Sequence, residues 1–268
     1  MFFCQGYTVN GSGVSCLETI AFVAALKQET RPFLRRVAVS RKILIEGFPA
    51  RRFDLFGRQC VLVLCGVGLM RAMRSVHALF SATRPELVVS FGIAGAPQDD
   101  LRVGDVIVAR TVRSFSQGFP GRSQALAMLS EPAREAASRA LRPLGARFFP
   151  GVALTTPGVQ TVNLAGLSLE HPVLEMETAG IVQACSSQGV PVLAFRGVSD
   201  SLDQPLPFDL EAFLDTDQKL RVGRILAGLV RDPSLFTRLN LLRRNTARAA
   251  ENCAVAMCAA LETHLSSL

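Results

Sequence analysis

Residues Glu86–Gly95 read ELVVSFGIAG. Glu86–Phe91 forms a continuous apolar run with no polar alternation, introduced by Pro85 and ending in Gly92-Ile93-Ala94-Gly95. A strand of this kind must be covered on both faces, which points to a mainly parallel sheet with helices on either side. The chain on both sides repeats the pattern. Upstream, Thr19–Leu26 reads as a buried first strand, and Arg51–Phe56 and Cys60–Cys65 flank Gly57-Arg58 as a hairpin. Gly66-Val67-Gly68 then turns into a helix over Leu69–Phe80. Downstream come a strand Val103–Ala109, a helix Glu131–Leu141 with Pro132 at its start, and strands Phe148–Leu154 and Pro172–Met176. A helix Thr178–Gln188 closed by Gly189, a strand Pro191–Val198, a mostly helical stretch Phe208–Leu229 and a helix Ser234–Leu265 follow. Strands alternating with helices predict an α/β three-layer αβα sandwich around a mixed, mainly parallel central sheet. The domain organisation expected is an N-terminal Gly/Ser-rich tail (1–18), a catalytic domain (19–230) and a basic helical extension (231–268).

At 268 residues and 49% apolar composition, the chain can bury a sizeable core, and a disordered protein is excluded. Runs such as Val61–Cys65 fall far short of the roughly 20 residues a spanning helix needs. The net charge of +7 is unevenly placed. Residues 1–218 are nearly neutral at +2, residues 219–250 carry 8 basic against 1 acidic side chain, and residues 251–268 add −2. A pI near 9.4 would ordinarily suggest nucleic acid, but a neutral body with a basic appendage argues against it. The seven cysteines are odd in number, show no CxxC spacing and mostly lie in apolar runs, which fits a reduced, cytoplasmic setting. Met1–Asn10 has no basic n-region, so no signal peptide is expected. The three histidines, His77, His171 and His264, are scattered, and neither a metal nor an organic cofactor is implied.

Ligands of open α/β sheets bind outside the carboxyl ends of the strands. Those ends carry Glu29, Gly66–Gly68, Gly92–Gly95, Glu175–Glu177 and Ser199-Asp200. Each also has a plainer reading. Gly66-Val67-Gly68 suits a tight turn with close helix packing, and it lacks the third glycine of a dinucleotide fingerprint. Glu177 suits a helix N-terminus, where the dipole favours an anion, or a carboxylate that accepts hydrogen bonds from vicinal sugar hydroxyls. Asp200 suits a helix cap or an acid that protonates a leaving group.

Taken together, the ordered segments AALKQET, CGVG, SFGIAGA, LEMETAG and AFRGVSD resemble the purine nucleoside phosphorylase/nucleosidase superfamily over residues 19–230. The resemblance is closest to its methylthioadenosine/S-adenosylhomocysteine nucleosidase-like branch. It implies an N-glycosyl hydrolase that frees adenine from a small-molecule nucleoside, working as a homodimer. Glu29 matches the acid that activates water, and Asp200, positioned by Ser199, the acid that protonates the purine. Glu177 matches the residue that binds the ribose hydroxyls, with Glu175 beside it and Met176 packing on the sugar. Ile93, Ala94 and Gly95 line the floor, and Val67 and Gly68 approach the reacting face. Phosphate-using members carry arginine and serine where this chain has Ser90 and Ile93, and a glutamate at position 29 would repel phosphate, so water is the expected nucleophile. The aromatic residue that stacks on adenine is replaced by Pro157-Gly158-Val159-Gln160, leaving Phe208 or Phe91 to take that part.

The segment after Asp200 resembles hopanoid-associated members, which implies adenosylhopane as a lipid-linked substrate, cleaved to ribosylhopane and adenine. Other readings are a methylthioadenosine/S-adenosylhomocysteine or futalosine-type nucleosidase, a purine nucleoside phosphorylase, or a non-catalytic nucleoside- or lipid-binding protein. Leu235, Leu239, Leu242, Thr246, Ala249, Cys253, Met257 and Ala260 form an apolar stripe along the last helix, with arginines on its flanks. Such a helix suits peripheral contact with the inner face of an anionic membrane, or docking on the core or on a second subunit.

Overall fold

The computed structural model describes residues 19–116, 119–158, 168–201 and 234–266. Four parallel strands form its centre: β1 (Thr19–Ala24), β4 (Arg58–Leu64), β5 (Leu87–Gly95) and β10 (Val192–Asp200), in the order β4-β1-β5-β10. Beyond β4 the sheet ends in two antiparallel strands, β3 (Phe48–Leu55) and β2 (Arg41–Ile45). Their turns, Glu46-Gly47 and Phe56-Gly57, have positive φ at both residues, the geometry that matches strand twist in two-residue hairpins. Beyond β10, β6 (Val106–Ser116) runs antiparallel, followed by the parallel strands β8 (Phe148–Thr155) and β9 (Pro172–Glu175). Strand β9 meets β5 again at Gly95↔Leu174, so β5, β10, β6, β8 and β9 close a ring. Strand β7 (Phe119–Ala125) folds back on β6 as a hairpin.

The unbroken apolar runs are explained by the two layers that cover this sheet. Ala21 and Val23 face one way, into a cluster with Ala72, Val76 and Leu79 of α2 (Leu69–Ala82) and Ile181 of α4 (Thr178–Ser186). Ile20 and Phe22 face the other way, toward Phe33 of α1 (Lys27–Leu34), Ala137 of α3 (Glu131–Leu141) and Met257 of the last helix, α5 (Ser234–Leu265). A short 3-10 turn, Arg142–Leu144, follows α3.

Most elements lie where the sequence places them, and α5 has the expected ends. Three differences have physical causes. The segment KQETRPFL carries little apolar signal and contains Pro32, yet it forms α1. It is held by Glu29 reaching back to the Leu26 amide at 2.7 Å and by Phe33 packing among Phe22, Phe53 and Phe91. Strand β5 does not stop at Phe91 but runs on through the glycines, because β10 pairs with it as far as Gly95. Phe91 itself is 2% exposed inside the aromatic cluster, so its ring is not available to stack on a base. Strands β2 and β7 were not read from the sequence, since their exposed, charged residues lack a core pattern. The tail 1–18, the stretch 208–229 and Phe208 lie outside the described residues.

The stripe of α5 is buried from Ala249 onward: Ala249, Cys253, Met257 and Ala260 sit in the core. The helix comes so close to β10 that a Cβ on Gly197 would stand 2.2 Å from the Ala249 carbonyl oxygen. Asn252, also buried, donates to the Gly104 carbonyl at 2.7 Å. Among the described residues, no helix is long and apolar enough to cross a membrane.

Candidate active site

The carboxyl ends of β1, β4, β5, β9 and β10 converge, and the acids singled out in the sequence meet there. Glu29, in the first turn of α1, is buried. Its oxygens accept from the Leu26 amide at 2.7 Å and the Ile93 amide at 3.1 Å. This fit requires Gly92, where a Cβ would lie 2.6 Å from the Glu29 Oε1. Burial raises the Glu29 pKa, against the pull of those amides.

Glu177 occupies the N-cap of α4 and accepts from the Gly68 amide at 2.9 Å. Gly68 has φ +102°, a conformation that a side chain would strain, and that glycine is what the turn beneath the carboxylate requires. Burial, then the nearby charges of Glu175 and Glu29, push Glu177 up to about 8. The two acids Glu29 and Glu177 line one small cavity together with Cys65, Ser90 and Arg196. A larger groove beside Arg134 and Phe148 lies at the start of β8, along α3.

Asp200 ends β10, half-buried, and accepts from the Ser199 hydroxyl at 2.6 Å. Ser199 also reaches the Ala94 carbonyl at 3.3 Å, so β5 fixes the rotamer of the serine that orients the acid. The other carboxylate oxygen lies against Gly95, 2.5 Å from where a Cβ would stand. Burial raises the Asp200 pKa, with the Ser199 bond opposing.

A fourth element of the site was not read from the sequence. Arg196, 2% exposed on β10, sends Nη2 to Glu175 at 2.8 Å, to the Thr178 hydroxyl at 2.7 Å and to the Ser90 hydroxyl at 2.9 Å. Glu175 also accepts from the Thr155 hydroxyl, the Thr178 hydroxyl at 2.7 Å, and the amides of Glu177 and Thr178 at 3.1 and 2.8 Å. Burial alone would raise Glu175, but Arg196 and the hydroxyls of Thr155 and Thr178 outweigh it and hold the carboxylate below its usual range. The sequence reading groups Glu175 with the substrate-binding residues; in the structure protein donors occupy both of its oxygens. The available signal was Arg196 itself, since a charge inside an otherwise apolar buried strand requires a buried partner.

The αβα sheet thus gathers Glu29, Glu177 and Asp200 at its strand ends, beside Ile93 and Gly95, in the manner of an α/β enzyme site. The chain belongs to the phosphorylase superfamily, whose family model matches residues 19–231. It is 27% identical over 224 residues to a 5′-methylthioadenosine/S-adenosylhomocysteine nucleosidase of Geobacillus kaustophilus, covering 78% of this chain and 95% of that one. Among solved structures it is similar to a methylthioadenosine/S-adenosylhomocysteine nucleosidase from Colwellia psychrerythraea in complex with adenine. There the TM-score is 0.68 at 19% identity, over 92% of this chain and 96% of the other. It is also similar to a futalosine hydrolase of Helicobacter pylori, with TM-score 0.65 at 15% identity, over 92% and 98% of the two chains. At these identities the likeness to the solved structures is one of fold.

Proposed function

We propose that the protein hydrolyses the N-glycosidic bond of a purine nucleoside, with adenine as the leaving base. The observation that carries this reading is the placement of three acids with separate environments around one floor. Cleavage of such a bond passes through an oxocarbenium-like state that needs a proton on the leaving base and a nucleophile on the opposite face. Asp200 is the acid: burial raises its pKa, which favours the protonated form a proton donor needs, and Ser199 holds one of its oxygens. Glu29 is the base: desolvation strengthens it, and the Leu26 and Ile93 amides fix its orientation. Glu177, tied to Gly68, takes the ribose hydroxyls, with Met176 against the sugar. Glu175 and Arg196 touch no substrate in this scheme; they hold the α4 N-terminus and so position Glu177. The Glu29 carboxylate, where ionised, disfavours a phosphate nucleophile by charge.

The finer reading of the substrate is an adenosyl group carrying a hopanoid at its 5′ position, acted on by a dimer. It rests on the resemblance of the segment after Asp200. The methylthioadenosine and futalosine readings rest on the relatives. One assay separates them: adenine or other purine release in phosphate-free buffer from 5′-methylthioadenosine, S-adenosylhomocysteine, futalosine and adenosines with long alkyl 5′ groups. Release without phosphate is expected, fastest for the apolar 5′ groups. A strict requirement for phosphate with formation of ribose 1-phosphate would overturn hydrolysis, and preference for a small 5′ group would overturn the lipid reading alone.

A further inference from the structure

From Pro233 to Ala250 the chain contains no acidic residue and four arginines, Arg238, Arg243, Arg244 and Arg248. The next acid, Glu251, is held by both Arg35 and Arg36, so it does not offset this charge. Leu241, Arg244 and Arg248 are spaced i, i+3 and i+7, which puts them on one face of α5. All three are exposed, Leu241 by 45%. At the end of that face Arg248 donates to the Leu144 carbonyl at 3.5 Å, which joins α5 to the exposed 3-10 turn Arg142–Leu144. Leu144 is itself 41% exposed. The result is a basic surface built from two elements, with a protruding leucine on each.

We propose that this face of α5, with the Arg142–Leu144 turn, docks the protein on an anionic phospholipid surface. Arginines meet the lipid phosphates while the leucines reach the boundary of the acyl region. The lipid-facing side is therefore not the apolar stripe of α5, whose part from Ala249 onward is used up in the core. The composition favours lipid over nucleic acid. Residues 237–251 and 142–145 contain no aromatic side chain to stack on a base, and the exposed leucines have no role against phosphate alone. The proposal does not depend on which bond the enzyme cleaves.

The test is co-sedimentation of the full chain with vesicles of equal phosphatidylglycerol and phosphatidylcholine, and with phosphatidylcholine alone. Binding is expected only to the anionic vesicles, weakening as salt rises. The variant Arg244→Gln/Arg248→Gln should bind on the order of tenfold more weakly, since each arginine near a charged surface contributes severalfold. Leu144→Ser/Leu241→Ser should bind a few-fold more weakly, and both variants should keep wild-type turnover of a soluble nucleoside. Equal binding of all three proteins, no binding to anionic vesicles, or tighter binding to duplex DNA than to vesicles at the same salt would each overturn the proposal. Turnover is measured separately, so an inactive protein that still binds vesicles counts against the reaction and not against the docking face.

Discussion

Glu175 and Glu177 are two residues apart, yet they lie in regions of opposite character. Behind the end of β9, Glu175 sits in a closed pocket where a guanidinium, hydroxyls and amides compensate its charge. In front of it, at the Gly68 turn, Glu177 is desolvated with one amide at 2.9 Å and a weaker one at 3.4 Å, and two other carboxylates nearby. The first region is satisfied and structural. The second is left under electrostatic stress, of the kind that a ligand bringing hydroxyl donors would relieve. Sites that bind and react are where such uncompensated groups collect.

The largest effect should come from breaking the satisfied region. Arg196→Met keeps the volume but leaves Glu175 buried without its cation. Removing one partner of a buried pair costs about 3–5 kcal/mol. Urea unfolding should show a loss of that size, together with reduced turnover because the α4 N-terminus loosens. A loss under ~1 kcal/mol would mean that the pair is not what anchors Glu177.

Changing the stressed region should separate stability from function. In the unfolded chain Glu177 ionises near 4.5, whereas in the folded protein it holds its proton to about 8. Between those values folding takes up a proton, so the native state loses stability as pH rises through that window. Glu177→Gln removes this penalty. Its melting temperature should exceed the wild type by an amount that is nil near pH 4, grows with pH and levels off above about 8. Turnover should nevertheless fall by roughly 100-fold or more, the scale expected when a group that acts on the transition state is lost. A variant that melts lower than wild type at pH 8.5 would contradict the assignment of stress to Glu177.

The same contrast explains what could be read from the sequence. Strands β1, β5 and β10 are legible because burial on both faces leaves a dominantly apolar run, broken only at Ser90 and Arg196 before the strand ends. Glu29, Ile93, Gly68, Glu177 and Asp200 are then found by position, as the residues that follow such strands, and the structure does bring them to one side of the sheet. Helix α1 was not legible, because what holds it is tertiary: the Glu29 carboxylate on its own N-terminus and one phenylalanine in an aromatic cluster. The Thr155, Thr178, Ser90 and Arg196 network was not legible either. Its members come from four distant segments, and no spacing in the chain links them.

The smallest effect should come from a third setting, the exposed pair of Arg35 and Arg36 with Glu251 between α1 and α5. On paper it should exceed the Arg196 pair, since two cations rather than one meet the carboxylate, and its arginines hold Glu251 below the usual range. Water, however, already solvates these charges: the Arg35 side chain is 66% exposed and that of Glu251 34%. Removing a partner here leaves no ion stranded in a dry interior. Glu251→Gln should cost under about 1 kcal/mol at neutral pH, and less again in high salt. That contribution is present above the ordinary Glu pKa and fades as pH falls through the lowered one, so wild type and variant should converge in acid. If Glu251→Gln matched Arg196→Met in urea, burial would not be what separates the two kinds of pair, and the distinction between the Glu175 and Glu177 regions would lose its physical basis.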